Sequence, residues 1–403
     1  MRSDIPVLRK DHPRSDANPL RIALAIPFGH PFIERVFGGI IAYAQTRGGW
    51  NFSHLGEAKL HSSLWLRDWD GDGAFVWIED QEEERELQGL PFPIVNLSST
   101  INCTKFPTVA VDHQMIGKLG AEHLAERHFK QFAYVGVAHQ WYSQERRDGF
   151  SNEVKRRGGT CDFYDVPEPQ ASAQRWRQGQ RQLDDWLRQL KLPVAIMTCS
   201  DLRASIVIDA CARLGLQVPT EVAVLGVDNA VLTCETCRPT LSSVSRNDHA
   251  IGLAAAGLLE RLIIDKTTTT EPLLIAPGAV IQRQSSDVRA ISDPDVAMIL
   301  SWVNQHISES FGVAQMVKKM GYSRRHVEGL FQSSLGCSPY RALCQERIDH
   351  ACRLLTNNVR APIKSIASAC GLPDANHFRT VFTRLVGVSP QKYRAKYRGK
   401  VSD

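Results

Sequence analysis

The sequence predicts a two-lobed α/β domain followed by an all-α domain that contains two helix-turn-helix units. Short β-branched runs alternate with amphipathic helical stretches between residues 21 and 283. The pattern F-x4-G-x-S-P occurs twice near the carboxyl end, 51 residues apart. The net charge of +5 is also unevenly spread, because residues 295–403 hold 16 basic and 7 acidic side chains. A basic end on a mildly acidic body favours a polyanionic partner for that end.

Six apolar runs of strand length are separated by helical stretches in the first domain. Strands that alternate with helices indicate a doubly wound architecture, and six of them over residues 21–283 fit two lobes better than one sheet. The predicted strands are Ile22–Ile26, Ala74–Ile78, Ile94–Leu97, Ala133–Val137, Val194–Thr198 and Val222–Gly226. The predicted helices include Phe32–Tyr43, Ile116–Glu126, Arg175–Leu190, Leu202–Leu214 and His249–Ile264.

Polar side chains follow several of these strands, and the carboxyl ends of parallel strands are the usual ligand site of such folds. Carboxylates and an arginine can each hold two neighbouring hydroxyl groups, which suits a neutral polyol. Phe28 and Trp77, also at strand ends, offer an apolar face for a sugar ring. The polar candidates are Arg146, Asp201, Asp228 and Asn229.

Each of these candidates has a structural alternative. Asp228 and Asn229 could form a loop turn, and Arg146 could pair with Glu145 or Asp148. Phe28 and Trp77 could equally belong to the core. The sequence alone leaves these alternatives open.

The sequence predicts neither catalysis nor a metal site or cofactor. No phosphate-binding glycine loop follows the first strand, and neither a G-x-S-x-G nor an H-E-x-x-H motif occurs. Ten cysteines are present, but Cys234 and Cys237 form the only close pair and nothing completes a zinc set. Reduced, buried thiols in a cytoplasmic protein are therefore expected. No apolar run is long enough to span a membrane.

The second domain contains two copies of a helix, a glycine turn and a second helix. Gly321 and Gly371 mark the turns, and Ser338-Pro339 and Ser389-Pro390 begin the helices that follow each copy. One long helix, from Pro339 to Leu355, is predicted between the copies, where it would set the two units rigidly apart. A bundle with a merely solvated basic surface is the alternative for a single copy, but two matched copies favour binding of double-stranded DNA.

The second helix of such a unit fits the major groove, where its polar outer side chains meet base edges. Arginine suits the two acceptors of guanine, asparagine suits adenine, and glutamate suits the cytosine amino group. Basic residues of the last helix are expected near phosphates. The base-reading candidates are Arg324, Arg325, Glu328, Asn376, Arg379 and Thr380, and the phosphate candidates are Lys392, Arg394 and Lys396.

Residues from about Val296 to Arg398 resemble the DNA-binding domain of the AraC/XylS regulator family. The resemblance rests on Gly371-Leu-Pro-Asp-x3-Phe378-x3-Phe382 and on Gly387-x-Ser-Pro-x2-Tyr393-Arg394. It implies a transcription regulator that reads operator DNA.

Residues from about Ile22 to Arg283 are similar to the sugar-sensing core of LacI-type regulators and periplasmic binding proteins. The matching stretches include Arg146-x2-Gly149-Phe150 and Val218-Pro219-x4-Val224-x-Gly226-x-Asp228-Asn229. In that family the positions matching Arg146, Asp201 and Asp228 face the ligand. The helix-turn-helix that normally precedes this core is absent, so the carboxyl-terminal domain replaces it.

A LacI-like sensor followed by an AraC-like DNA-binding domain resembles bacterial xylose-operon activators, which implies D-xylose as the ligand. A homodimer is expected, and RNA polymerase is a further partner if the protein is an activator. Trp77 stands where a polar pocket residue is expected, so another sugar stays open, as does a repressor that the sugar releases. An enzyme with a DNA-binding tail is the remaining alternative. The expected organisation is a tail over 1–20, a sensor over 21–283, a linker over 284–294 and a DNA-binding domain over 295–403.

Overall fold

The chain forms two compact units, Met1–Val288 and Arg289–Asp403. The first unit is α/β and the second is all-α, which confirms the predicted fold class. Of the predicted amino-terminal tail, residues 1–18 lie outside the described part of the chain. The computed structural model describes residues 19–27, 29, 31–48, 50–54, 63–103, 105–127, 129–166, 173–266, 270–287, 293–357, 361–372 and 374–398.

The first lobe of the α/β unit is built on a parallel sheet with the strand order β2-β1-β3-β4. β3 and β4 are fully buried and β1 is buried at four of its six residues, because helices cover both faces, and these strands are accordingly rich in alanine, valine and isoleucine. β5 and β11 pair in parallel beside it. The strands are β1 Leu20–Ala25, β2 Trp50–His54, β3 Gly73–Val76, β4 Ile94–Asn96, β5 Val109–Val111 and β11 Leu273–Ile275.

The second lobe contains a sheet with the order β12-β10-β9-β8-β6-β7. All its neighbours are parallel except β12, which runs antiparallel to β10. The carboxyl ends of β6, β8 and β9 therefore lie at one edge of this sheet. The strands are β6 Gln131–Val137, β7 Thr160–Val166, β8 Val194–Thr198, β9 Val222–Val227, β10 Ser242–Val244 and β12 Val280–Ile281.

The helices of the α/β unit connect these strands. α1 and α8 belong to the first lobe, and α3, α4 and α6 pack on the second sheet. Their bounds are α1 Pro31–Arg47, α2 Gln81–Glu86, α3 His113–Ala125, α4 Trp141–Arg156, α5 Ala173–Gln189, α6 Asp201–Leu214, α7 Val231–Thr236 and α8 Asp248–Asp265.

All six predicted strands are present, whereas β2, β5, β7, β10, β11 and β12 were not predicted. β2 and β7 lie at a sheet edge and are partly exposed, so they lack the continuous apolar run that marks a central strand. The other four are only two or three residues long. The predictions also missed α4, whose composition is polar. Arg146 therefore lies in the second turn of this helix and not in a loop after β6.

Two helix pairs approach each other through glycine. α1 meets α8 at Gly252, where a Cβ atom would overlap the carbonyl oxygen of Val36. α3 meets α4 at Gly149, where a Cβ atom would overlap the carbonyl oxygen of Gln114. Only a residue without a side chain allows backbones this close. The second contact holds the first turn of α3 against the third turn of α4.

The second unit consists of helices arranged around two small cores. Val303, Val327 and Phe331 belong to the first core, and Phe378 and Phe382 belong to the second. α12 contributes side chains to both, as expected for a helix that joins the two helix-turn-helix units. The helices are α9 Pro294–Gln305, α10 Val313–Met320, α11 Arg324–Leu335, α12 Pro339–Asn357, α13 Ile363–Ala369, α14 Ala375–Val386 and α15 Pro390–Arg398.

The second helix of each helix-turn-helix unit begins with a polar cap. The Ser323 hydroxyl accepts a hydrogen bond from the backbone N–H of His326 at the start of α11. The Asp374 carboxylate does the same for Asn376 at the start of α14. Such caps satisfy backbone donors that a helix leaves unpaired at its start. None of the described helices is long and apolar enough to cross a membrane.

Replacing Gly252 with alanine tests the close contact between α1 and α8. We expect the free energy of unfolding to fall by about 1–3 kcal/mol, because the added methyl group must displace backbone. Gly179→Ala is the matched control, since Gly179 lies inside α5 and no atom comes within 4 Å of the position its Cβ atom would take. The control should gain about 0.5–1 kcal/mol from the better helix propensity of alanine. Equal stability of the two variants in urea titrations would contradict the close-contact argument.

Candidate functional site

Charged side chains of both lobes meet where the strands of the second sheet end. The Asp228 carboxylate, after β9, places Oδ1 3.7 Å from Nη2 of Arg146 and 3.7 Å from Nη1 of Arg246. Arg146 is 1% exposed, so its charge has left water and depends on nearby groups. We define the inter-lobe cluster as Arg35, His113, Arg146, Asp228, Arg246 and Asp248.

The Arg146 guanidinium connects three segments of the second lobe. Its Nε atom donates to Nδ1 of His113 at 3.2 Å, where α3 begins. Its Nη1 atom donates to the carbonyl oxygen of Cys199, just after β8. With Asp228 beside Nη2, the guanidinium spans the ends of β8 and β9 and the start of α3. The structure thus places Arg146 and Asp228 together, as the sequence predicted for a polyol site.

Polar atoms on either side of Arg146 are buried without a hydrogen-bond partner in the described part of the chain. They are Oδ1 of Asp228, an acceptor, and Nε2 of His113. Because Nδ1 of His113 accepts from Arg146, its Nε2 atom is assigned as the N–H donor. A buried polar group left unpaired costs roughly 1–3 kcal/mol, so such atoms are rare outside functional sites. An acceptor and a donor around one arginine suit a molecule that carries several hydroxyl groups.

The charge states of the cluster follow from burial and from its arginines. Burial, with the charges of Arg146 and Arg246, holds the pKa of His113 well below its usual value, so the imidazole is neutral. Burial raises the pKa of Asp228, and the same two arginines act against that rise. A neutral donor and a carboxylate between arginines favour an uncharged ligand over a second anion or cation.

The cluster also joins the two lobes. Nη2 of Arg35, on α1 of the first lobe, donates to the carbonyl oxygen of Asp228 at 2.8 Å and to Oδ2 of Asp248 at 2.8 Å. The backbone N–H groups of Trp141 and Tyr142, which begin α4, donate to carbonyl oxygens of the loop after β4. The lobes are therefore connected on two sides of the cluster, and a ligand held there would contact both.

Aromatic rings border the charged groups. The Arg246 guanidinium lies 4.5 Å from the ring centre of Phe32, and Trp77 lies 5.7 Å from Phe32. On the other side, the rings of His113 and Trp141 are 5.7 Å apart in an edge-on arrangement. Trp77 and Arg246 therefore both contact Phe32. Phe28, the predicted companion of Trp77, lies outside the described residues.

Asp201 is occupied by groups of the protein itself. Its Oδ1 accepts from the Ser243 hydroxyl at 2.6 Å, and its Oδ2 accepts from the backbone N–H of Ala230 at 2.7 Å. The side chain is buried, and burial together with the charge of Asp228 raises the pKa of Asp201 to about 7. These contacts hold the loop after β9 in place, so Asp201 orients Asp228 instead of completing the cluster.

Asn229 points to a different set of side chains. Its Oδ1 accepts from Nη2 of Arg283 at 3.0 Å, away from the inter-lobe cluster. Both Asp228 and Asn229 have positive φ angles, 105° and 47°. The proposed loop turn is therefore present, and it coexists with the placement of the Asp228 carboxylate among the arginines. Strain of this kind is typical of functional loops.

Four members of the cluster were not predicted from the sequence. Arg35 is in the second turn of α1, and His113 is the first residue of α3. Arg246 lies between β10 and α8, and Asp248 is the first residue of α8. Val111-Asp112-x4-Gly117 also resembles the sensor core of LacI-type regulators, and His113 directly follows its first two residues, so its position in that stretch could have pointed to it. The expected absence of metal binding remains a prediction; among the described residues no cluster of metal ligands occurs.

The second unit presents most of the predicted DNA-contacting side chains to solvent. On α11, Nε of Arg324 donates to Oε1 of Glu328 at 2.9 Å, and Arg325 is exposed beside them. On α14 the Thr380 hydroxyl donates to the carbonyl oxygen of Asn376 at 3.0 Å. The exposed predicted residues are Arg324, Arg325, Glu328, Asn376, Arg379, Thr380 and Lys392.

Arg394 differs from the prediction. Its Nε and Nη2 atoms are buried, so the guanidinium is turned into the protein. This burial argues against the predicted phosphate contact, because α15 packs on α12 and α14 with this face inward. Lys392, on the same helix, is exposed, and its contact with a phosphate stays a prediction. The side chain of Lys396 lies outside the described residues.

Comparisons with known proteins assign both units. Residues 121–286 match a periplasmic binding protein-like domain, and residues 316–396 match a helix-turn-helix domain. The chain is 28% identical over 385 residues to the xylose operon regulatory protein of Escherichia coli strain K12, covering 93% of this chain and 96% of that protein. It is 31% identical over 132 residues to the activator RhaR of Yersinia pestis bv. Antiqua strain Angola, covering 32% of this chain and 45% of that one.

A solved structure agrees with these matches. The structure described as the xylose-binding transcription activator xylR aligns with a TM-score of 0.64 and 26% identity, over 94% of this chain and 99% of that chain. The resemblances inferred from the sequence are confirmed. The chain is a DNA-binding, sugar-responsive transcription regulator that joins a periplasmic binding protein-like sensor to an AraC-type helix-turn-helix domain.

Proposed function

We propose that this chain activates genes for the catabolism of D-xylose when that sugar binds at the inter-lobe cluster. The observation that carries the proposal is that, among the described residues, Oδ1 of Asp228 and Nε2 of His113, on either side of Arg146, are buried without a hydrogen-bond partner. A pentose is neutral and has several neighbouring hydroxyl groups, so one molecule can satisfy both atoms. Relatives named for xylose span nearly the whole chain, which favours this sugar over others.

The sugar is held by hydrogen bonds and by ring contacts. One hydroxyl donates to Oδ1 of Asp228 while its oxygen accepts from Arg146 or Arg246, and another accepts from Nε2 of His113. Phe32 and Trp77 offer an apolar face to the ring carbons. The protein acts by binding, without a chemical step, in the cytoplasm where its DNA lies.

Sugar binding can change DNA affinity only if it favours one arrangement of the sensor over another. α3 offers a route for this change, because it begins at His113 and ends near the last segment of the sensor. There Nε2 of His123 is 2.8 Å from the Ser286 hydroxyl, and Nε of Arg127 donates to the Ser286 carbonyl at 2.6 Å. A shift of His113 on sugar binding is thus passed along one rigid helix to the residues that lead to the DNA-binding unit.

The DNA-binding unit reads operator DNA with α11 and α14 in successive major grooves. Exposed Arg325 and Arg379 are suited to guanine, and Asn376 is suited to adenine. Two chains act as a homodimer, since paired operators are usually read by symmetric dimers. As an activator, the dimer contacts RNA polymerase at the promoter.

The central experiment measures binding of the full chain to its operator with and without D-xylose. We expect tighter operator binding with the sugar, and a matching increase of reporter expression in cells. Equal DNA affinity at every sugar concentration would contradict the coupling. Weaker operator binding with sugar would contradict the proposed activator and would indicate a repressor that the sugar releases from DNA.

Asp228→Asn tests the ligand site. The amide removes half of the acceptor capacity, and hydrogen bonds to charged groups contribute about 1.5–3 kcal/mol, which corresponds to roughly 10- to 150-fold in affinity. The rise in melting temperature that D-xylose produces should therefore disappear at moderate sugar concentrations. Asp148→Asn is the control, because Asp148 is an exposed carboxylate on α4, two residues after Arg146, and pairs with Arg147. A normal sugar response in Asp228→Asn would rule out this site.

Asp201→Asn tests the positioning role of Asp201 through pH. The folded pKa of about 7 lies above the ordinary value, so the folded state binds this proton more tightly and stability from this group falls as pH rises from about 4 to about 7. Asparagine does not titrate. The free energy of unfolding of the variant, relative to the native chain, should therefore rise between pH 5 and pH 8. A difference that stays constant with pH would contradict the raised pKa.

Arg325→Ala and Lys392→Ala separate base reading from phosphate contact. Loss of a bidentate arginine should cost about 1–3 kcal/mol and relax the preference at one operator position. Loss of Lys392 should weaken binding to all duplexes alike and lower the slope of log affinity against log salt by about 1. Fluorescence anisotropy on single-base operator variants at several salt concentrations measures both effects. A uniform loss in Arg325→Ala would assign that residue to a phosphate.

A further inference from the structure

The two helix-turn-helix units touch through more than the helix that joins them. α12 places Leu343 in the first core and Ile348 in the second, so it belongs to both units. Arg347 lies between these two positions and is 6% exposed. A charged side chain buried at the boundary of two cores needs partners there.

The partners of Arg347 lie just before the first helix-turn-helix unit. Its Nη2 atom donates to the carbonyl oxygens of Glu309 at 3.0 Å and Phe311 at 2.9 Å, in the segment between α9 and α10. Its guanidinium also lies 4.8 Å from the ring centre of Phe311. The arginine thus ties the middle of α12 to the segment that leads into the first helix-turn-helix unit.

The turn of the second unit packs on the same segment. Gly371, between α13 and α14, has a φ of +65°. A Cβ atom there would overlap the carbonyl oxygen of Glu309, and would lie 2.9 Å from that of Ile307 and 3.0 Å from Nη2 of Arg347. The backbone at Gly371 therefore contacts both the segment that leads into the first helix-turn-helix unit and Arg347, which is hydrogen-bonded to that segment.

Gly321, the matching glycine of the first unit, lacks this contact. Its φ is +75°, so the local backbone requirement is nearly the same. Among the described residues, no atom lies within 4 Å of the position a Cβ atom would take. Two glycines in equivalent turns therefore differ in one respect, the contact between units.

We propose that Gly371 and Arg347 are positioning residues that fix α11 and α14 at one separation and one rotation, so that the protein measures the spacing of the two elements in its operator. The inference rests on the proposed reading of DNA by those two helices. Two linked binding helices gain affinity from each other only when the linkage matches the distance between their sites. One added base pair turns the second element by about a tenth of a helical turn, which a rigid pair cannot follow.

The experiment uses the full chain and a duplex selected from a random-sequence library by the native protein. Footprinting locates its two elements, and three duplexes are then compared: the selected spacing, one inserted base pair, and one element scrambled. For the native chain we expect the insertion to weaken binding at least tenfold. The scrambled duplex gives the affinity of one element alone.

Gly371→Ala should bind the selected spacing about tenfold more weakly, and should lose less than threefold on the insertion. Gly321→Ala, which carries the same φ strain, should keep the tenfold penalty for the insertion. Both variants should match the native chain within about twofold on the single-element duplex. Arg347→Met should behave as Gly371→Ala, and Arg347→Lys, which keeps one donor group, should recover part of the spacing preference.

The same spacing penalty in Gly371→Ala and Gly321→Ala would overturn the proposal. So would an equal loss of single-element and paired binding in Gly371→Ala, since this would be a general effect on folding. If Gly371→Ala does not fold, the two Arg347 variants decide by the same criterion. A native chain with no preference for any selected duplex would instead overturn the proposed DNA reading itself.

Discussion

The sensor depends on a buried arginine. The Arg146 guanidinium is held by a ring nitrogen of His113, by the carbonyl oxygen of Cys199 and by the nearby carboxylate of Asp228. These groups come from segments far apart in the chain, and contact with the one guanidinium holds them together. A buried cation that loses a partner is strongly destabilising, so the three segments are expected to move together or not at all. This requirement turns three strand ends into one site.

Glycine contacts make that arrangement possible. α3 and α4 approach so closely at Gly117 and Gly149 that a side chain at either position would overlap backbone of the other helix. This approach is what brings His113, at the start of α3, within 3.2 Å of Arg146 in the second turn of α4. The sequence feature is the absence of a side chain, the structural effect is a short helix separation, and the functional effect is a polar pair at the lobe junction.

The sequence predicted features that depend on local patterns. The repeated glycine and Ser-Pro signals gave the helix-turn-helix units, and strand ends pointed to Arg146 and Asp228. Sequence position after a strand does not say which way a side chain turns, however. Asp201 and Asn229 were therefore placed with Asp228, although the first accepts from Ser243 and Ala230 and the second from Arg283. Arg35 and Arg246 were missed because only the tertiary fold brings them to the cluster.

The buried arginines of the two units serve different purposes. In the DNA-binding unit, Arg347 donates to backbone oxygens and the turn at Gly371 closes against them, which suits a body that must keep one shape. In the sensor, Oδ1 of Asp228 and Nε2 of His113 are buried without a hydrogen-bond partner among the described residues, which lowers stability. A hydroxylated ligand recovers that free energy only in the arrangement where both atoms reach it, and this difference is what can bias the lobes. A sensor that paired these atoms internally would be more stable, but the atoms would then be closed to the hydroxyl groups of a ligand.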